Sequence, residues 1–467
     1  MTAKTLLTID ESSLPKGWKG LTLADVTGYI QRGKGPKYIE RSDLPVINQK
    51  CIRWFGIQKE HLKYVDPEQW SAWGEERYVR VGDVLWNSTG TGTIGRAALV
   101  KNLMAGEKYV VDSHVTIVRP RDIDPEYVHY WIMSPAVQGS IESMQSGSTN
   151  QVELSKSAVE ALPIPVAPPE QQKTIVAEIE KQFSRLDEAT ANLRRVKANL
   201  KRYKAAILKA AVEGKLTEDW RKQHPDVEPA SKLLERILVE RREKWSGKGK
   251  YVEPSAPETT DLPSLPQAWT WATVEQLSLL VQYGSSSKTD EEAIGVPVLR
   301  MGNIEDGRLR FDSLKYLPKN HDEFPGLFLQ EGDILFNRTN SAELVGKTAV
   351  YKGMPDPCSF ASYLIRVRLV QGCAPDFLAY FINSVFGRAW IAQVVSQQVG
   401  QANVNGTKLQ ALAVPLPPLI EQRQIVAEVE RRLSVIEELE AAVQANLIRA
   451  NRLRQSTLTA AFSGRLL

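Results

Sequence analysis

Cysteine and histidine are scarce in this 467-residue chain: three Cys (Cys51, Cys358, Cys373) and five His. Three widely spaced cysteines cannot build a disulfide framework, and they suit a reducing, cytoplasmic setting. The histidines are scattered without ligand spacing, so no metal site is expected. Long apolar runs are missing as well. None approaches the roughly eighteen residues of a membrane span, and the opening MTAKTLLTIDESSLPKGW lacks the apolar core of a secretion signal. Charge of one sign is also lacking. Lys and Arg total 59 against 55 Asp and Glu, a net +4 that is too small to establish a nucleic-acid partner. Apolar content of 42% and charged content of 24% belong to a folded globular protein, and the length suits two to four domains.

Catalytic signatures are absent too. No NPPF or DPPY methyltransferase motif occurs, and no helicase or PD-(D/E)xK cluster. Gly90-Thr-Gly92-Thr-Ile-Gly95 spells the dinucleotide-binding GxGxxG, but only the short run AALVKN follows it where a helix would be needed. Ser341–Thr348 misses a phosphate-binding loop at its first glycine, and Glu343 would set a negative charge in the cradle. No cofactor site is expected. One basic run stands out: Asn192–Lys204, NLRRVKANLKRYK, holds six cations and no acid. It reads as a solvated helix face or as a phosphate contact.

What the sequence does contain is a copy of itself. Ile175–Glu180, IVAEIE, returns 250 residues later as IVAEVE at Ile425–Glu430. LPKGW at Leu14 is answered by LPQAW at Leu265, and GDVLWN at Gly82 by GDILFN at Gly332. PEYVHYWIMS at Pro125 is answered by PDFLAYFINS at Pro375, and AVEGKL at Ala211 by AFSGRL at Ala461. So many segments in one order at a near-constant offset establish a divergent internal repeat.

Each copy divides in two. Short alternating runs such as YVRVGDVLW and HVTIVRP, broken by Gly, Pro, Asn and Ser, read as strands and turns. After Pro168-Pro169 an uninterrupted helical stretch runs to Gly214. Its expected apolar seam is Ile175, Ile179, Gln182, Leu186, Ala189, Leu193, Val196, Leu200, Tyr203 and Ile207. In the second copy the seam is Ile425, Val429, Arg432, Ile436, Leu439, Val443, Asn446, Ala450 and Leu453. The predicted fold is α+β: two tandem mixed α/β domains, each followed by a long helix. The helices are expected to pair as an antiparallel coiled coil with pseudo-two-fold symmetry. The expected boundaries are a first domain at 1–168, a helix at 169–216, a charged linker at 217–262, a second domain at 263–418 and a helix at 419–467. The linker reads as a flexible span with one short helix at Ser231–Lys244, which could instead dock.

This order of motifs resembles the specificity subunit of Type I restriction-modification systems. The motifs are Leu-Pro-x-x-Trp, Gly-Asp-x-Leu, a Pro-Pro-x-x-Glu-Gln run at the helix start and an Ala-x-x-Gly-Lys/Arg-Leu closure. The resemblance covers nearly the whole chain, with departures at Pro165–Gln172 and at Asn48–Cys51, where the second copy reads Arg300–Asn303. It implies two target recognition domains, each reading one half of a split double-stranded DNA sequence. The helices would set the spacer and dock two methyltransferase subunits carrying S-adenosylmethionine, with restriction (translocase) subunits joining that core. The chain itself would be non-catalytic.

Candidate DNA contacts lie in paired polar loops. In the first domain they are Arg32, Lys34, Lys37, Tyr38, Asn87, Thr89, Thr91, Arg96, Ser148, Asn150 and Gln151. In the second they are Tyr283, Ser285, Lys288, Arg300, Asn303, Asn337, Arg338, Asn340, Lys347, Gln398, Gln401 and Asn403. The rival reading, a duplicated coiled-coil scaffold that binds only proteins, predicts neutral or acidic loops instead of these cations. A rigorously purified chain is expected to transfer no methyl group, cut no DNA and hydrolyse no nucleotide. Methyl transfer by the single chain would overturn that expectation.

Overall fold

The computed structural model describes residues 7–90, 92–104, 106–146, 152–245, 249–341, 343–398 and 401–467. The chain forms two compact units. One comprises residues 1–195 and 443–467, the other residues 196–442. Each unit therefore holds one mixed domain, the start of the long helix that follows it, and the last turns of the other long helix. The long helices are Pro169–Val212 and Leu419–Phe462.

In the first unit the central sheet is Thr27–Arg32, Val115–Pro120, Val84–Asn87 and Ala97–Leu99, antiparallel throughout. The second repeats it as Ser278–Tyr283, Leu364–Leu369, Ile334–Asn337 and Thr348–Val350. Both strand pairs after the Gly-Asp turn are fully buried, because helices cover the other face. These are Pro125–Met133 and Pro135–Met144 in the first unit, Pro375–Asn383 and Val385–Val394 in the second. No helix among the described residues is long and apolar enough to cross a membrane.

The repeated motifs are the joints of this frame. Trp18 donates its indole N–H to Gln171 Oε1 (2.8 Å), and Trp269 donates to Glu421 Oε2 (2.8 Å), tying each domain's start to its own long helix. Gln172 bridges Ala167 O and the Asp124 amide, and Gln422 bridges Pro417 O and the Ala374 amide. Asp83 caps its own turn through the Arg80 amide and takes a bidentate bond from Arg119 (2.7 and 2.8 Å). Asp333 does the same with the Gln330 amide and Arg368 (2.7 and 2.6 Å). A buried carboxylate so paired holds its strand end firmly.

The closing turns seat on the opposite domain. Gly214 (φ 70°) and Gly464 (φ 68°) lie in the left-handed region that glycine favours. A Cβ on Gly464 would lie 2.2 Å from Pro15 Cγ, and one on Gly214 2.8 Å from Pro266 Cγ. The end of the second helix thus packs on the Leu-Pro-x-x-Trp segment of the first domain, and the reverse holds in the second unit. Phe462 lies edge-on to Tyr127 and Trp131, with ring centroids 5.0 Å apart in both pairs.

Antiparallel helix pairing is visible inside each unit. Asp187 meets Arg454, and Thr457 donates to Gln182 (2.8 Å), in the first. Lys204 meets Glu440 at 2.9 Å in the second. Ile175, Ile179, Leu200, Ile207, Ile425, Val429, Ile436, Val443 and Ala450 are buried, and Leu186 and Leu193 half-buried. Gln182 and Arg432 are half-buried too, and the other expected seam positions are corrected. Val196, Tyr203, Leu439 and Leu453 are exposed (44, 51, 48 and 47%), as are Ala189 and Asn446. At five of these six positions the successor (Thr190, Lys204, Glu440, Leu447 or Arg454) turns inward instead, whereas Lys197 after Val196 is exposed as well. Residues three and four along a helix flank the same ridge on opposite sides, and packing at the helix ends selects the i+4 flank, with Phe183 buried.

The linker is the second correction. Ala230–Glu243 is a helix packed on the second domain, burying Ala230, Leu233, Ile237 and Arg241. Arg241 donates to Ser278 O (3.1 Å) and to the Tyr251 hydroxyl (3.1 Å). Arg221 reaches Glu421, which is almost wholly buried. The stripe at i, i+3 and i+7 outweighs the charged composition from which a flexible span was expected.

The corrected seam has a direct test by thermal and urea melting. Leu200→Asp puts a charge in the core and should cost about 2 kcal/mol or more. Val196→Asp should stay within about 0.5 kcal/mol of the wild type. Equal losses at both positions would restore the uncorrected register.

Candidate nucleic-acid interface

The candidate contacts cluster where strand ends of the central sheets meet the following loops. Arg32 ends the strand Thr27–Arg32 and is held there by Glu153 (2.6 Å) and by Ser113 O. Thr89 pairs with Glu153 as an isolated bridge, and its hydroxyl lies 3.0 Å from His114 Nδ1. Arg32, Thr89 and Glu153 therefore lie together. Arg96 folds back on its own loop, donating to Gly92 O (2.7 Å). Lys34, Lys37 and Tyr38 are exposed on the neighbouring segment. Lys37 pairs with Asp66 at 2.7 Å, which raises the Lys37 pKa. Although the Tyr38 ring is part-exposed, partial desolvation of its hydroxyl, with Asp112 nearby, pushes the phenol up to about 12, so it stays neutral.

The second unit gathers a tighter set. The Arg338 guanidinium lies 4.7 Å above the Tyr283 ring, whose hydroxyl accepts from the Gly406 amide (2.7 Å). Thr339 pairs with Asn403, and the Val404 amide donates to Arg338 O. Asn340 reaches Met301 Sδ (3.5 Å), which brings the Arg300 turn alongside. Arg300 donates to Ser313 O (3.1 Å), and its buried Nε has no partner among the described residues. Lys288 is exposed and Lys347 half-buried.

Four expected contacts are corrected: Asn87, Ser285, Asn303 and Asn337 are buried (0, 3, 4 and 0% exposed) and hold loops from beneath. Asn303 donates to Arg310 O and Asp312 O and accepts from the Arg300 amide. Ser285 donates to Glu323. Asparagine and serine suit base reading and turn-holding equally, and only burial separates the two uses. Thr91, Ser148, Asn150 and Gln151 lie outside the described residues, as do the side chains of Gln398 and Gln401.

The sequence reading missed His114 and Tyr363, which occupy equivalent places beside these loops. The Ser88 amide donates to His114 O and the Arg338 amide to Tyr363 O. Aligning HVTIVRP with YLIRVRL would have paired them. The GxGxxG segment leads into the strand Ala97–Leu99, and no helix begins there. No group of three or more His, Cys, Asp or Glu that could hold a metal occurs among the described residues.

Fold and loops define a duplicated recognition scaffold, with one framework built twice under two different sets of polar and cationic loops. Comparison with known proteins places it further. The family model for the Type I restriction modification DNA specificity domain matches residues 15–202 and 280–447. The EcoKI specificity subunit of Escherichia coli K12 is 28% identical over 354 residues, covering 75% of this chain and 68% of that protein. The StySPI specificity subunit of Salmonella potsdam is 24% identical over 468 residues, covering 98% and 91%. A chain solved in work on complex assembly and conformational transition of the type I R-M system shares the fold. Its TM-score is 0.64 at 19% identity, over 97% of this chain and 99% of that one. The chain belongs to the Type I restriction-modification specificity family, and its role is DNA sequence specificity.

Arg300 offers a test of what its turn reads. In DNA titrations Arg300→Ala should lose roughly 1–3 kcal/mol with relaxed preference at one position if it contacts a base. Uniform weakening, with a salt slope reduced by about 1, would instead mark a phosphate contact. Unchanged binding across salt concentrations removes Arg300 from the interface.

Proposed function

We propose that the recognition domains at 1–168 and 263–418 each read one half of a bipartite, asymmetric double-stranded DNA target. The helices at 169–216 and 419–467 set the unspecified spacer and dock two methyltransferase subunits, which bring S-adenosylmethionine. Restriction (translocase) subunits join that complex, and this chain supplies no catalytic group. The observation that carries this reading is a contrast within the repeat. Framework pairs such as Asp83–Arg119 and Asp333–Arg368 recur, whereas the loops above them differ in residue type. Two unlike reading surfaces on a repeated frame suit a target whose halves differ, as identical subunits suit a palindrome.

The test exchanges parts. Replacing Leu14–Pro168 with the matching segment of a relative should change one half of the methylated sequence and leave the other intact. Inserting one heptad after Val196 and another after Asn446 adds about 10 Å of helix. That is about three base pairs at roughly 3.4 Å each, so the spacer should grow with both half-sites unchanged. A lengthened, active complex that keeps its original spacer would sink the ruler role.

A further inference from the structure

The central strand of each unit ends in an asparagine at the same place, Asn87 in VLWN and Asn337 in ILFN. Both are fully buried, and among the described residues neither Oδ1 has a hydrogen-bond partner. Each lies at the root of a loop closed by the same bonds. The Asn87 amide donates to Arg96 O (2.8 Å) and the Gly95 amide to Asn87 O (2.9 Å). In the second unit Asn337 donates to Lys347 O (2.9 Å) and Gly346 to Asn337 O (2.7 Å). Beneath the loop, Asn87 Nδ2 donates to Thr93 O (3.3 Å) and Gln49 O (3.1 Å), and Asn337 Nδ2 to Leu344 O (3.4 Å).

A helix residue grips the same loop from its other side. Gln138 donates to Gly95 O (3.0 Å), and Arg388, 250 residues later, donates to Val345 O and to Glu343 O (2.5 and 2.9 Å). The glycine at the loop's end has no room for a side chain, since a Cβ on Gly346 would lie 2.1 Å from Ile391 Cδ1. Thr89 and Arg96 ride on one loop, Arg338, Asn340 and Lys347 on the other. A buried acceptor with no partner costs free energy, and an apolar residue of similar shape would avoid that cost. Both copies keep it although Gln138 and Arg388, and the loops themselves, have diverged.

We propose that Asn87 and Asn337 are positioning residues for sequence reading, each setting its loop for one DNA half-site without touching DNA. Through Nδ2 each fixes the height of the loop backbone, and so the reach of the side chains the loop carries. This inference rests on the two-half reading above.

The test maps methylated bases genome-wide in cells whose only specificity chain is the wild type, Asn87→Ala, Asn87→Leu, Asn337→Ala or Asn337→Leu. Asparagine to leucine keeps the shape and removes the donor without burying a charge. Each purified complex is also melted. Mismatched base pairs normally reduce binding by roughly tenfold to a hundredfold. The Asn87 variants should erode that discrimination in the first half-site alone and the Asn337 variants in the second alone, with melting temperatures close to the wild type. Full discrimination in a variant's own half overturns the inference, as does parallel loss in both halves or loss that tracks a lowered melting temperature. A single contiguous wild-type target would instead overturn the two-half reading itself, which separates the two failures.

Discussion

Each unit depends on a helix end that comes from the other half of the sequence. The last turn of the second long helix brings Gly464 against Pro15 and Phe462 between Tyr127 and Trp131, inside the first domain's core. The last turn of the first does the same with Gly214 and Pro266. A 44-residue helix cannot bury its apolar stripe alone, and neither domain completes its core without a terminus from the other repeat. The invariance of Leu-Pro-x-x-Trp and Gly-Lys/Arg-Leu between the copies follows from this one close approach.

The frame built on that approach tolerates different chemistry at the same joint. Trp18 donates to a neutral Gln171, whereas Trp269 donates to Glu421, a buried carboxylate that also takes Thr217 and Arg221. The linker supplies Arg221 beside Glu421 as its ion-pair partner. An unpaired buried carboxylate would be severely destabilising. The linker is therefore part of the second unit's frame, and its packed helix adds Leu233 and Ile237 to the same core. In the loops the two copies diverge further. Arg32 is tied to Glu153, while Arg338 stacks on Tyr283, so the cations are presented in different surroundings.

Much of this was legible in the residues. The repeat, the two long helices and the strand-turn character of each domain follow from periodicity and glycine–proline punctuation, which local sterics impose. The docked linker helix was less legible because Arg241 is buried among carbonyl and hydroxyl partners that come from distant segments. Asn87, Asn303 and Asn337 were read as DNA contacts because an amide side chain serves a base edge and a backbone carbonyl equally well. Only their burial beneath the loops tells which it meets.

The sequence by itself determined that two similar domains each feed a long amphipathic helix, since a repeat at constant offset and a seam of alternating threes and fours need no tertiary information. Tertiary structure decided which flank of that seam faces inward, placing Lys204 opposite Glu440 and leaving Tyr203 in solvent. Flanks three and four residues along differ by one position, and only the partner's packing distinguishes them. It also decided which polar loop residues are exposed and which are buried as supports. A side chain's donors and acceptors are written in its chemistry, but the atoms they meet belong to segments that only folding brings together.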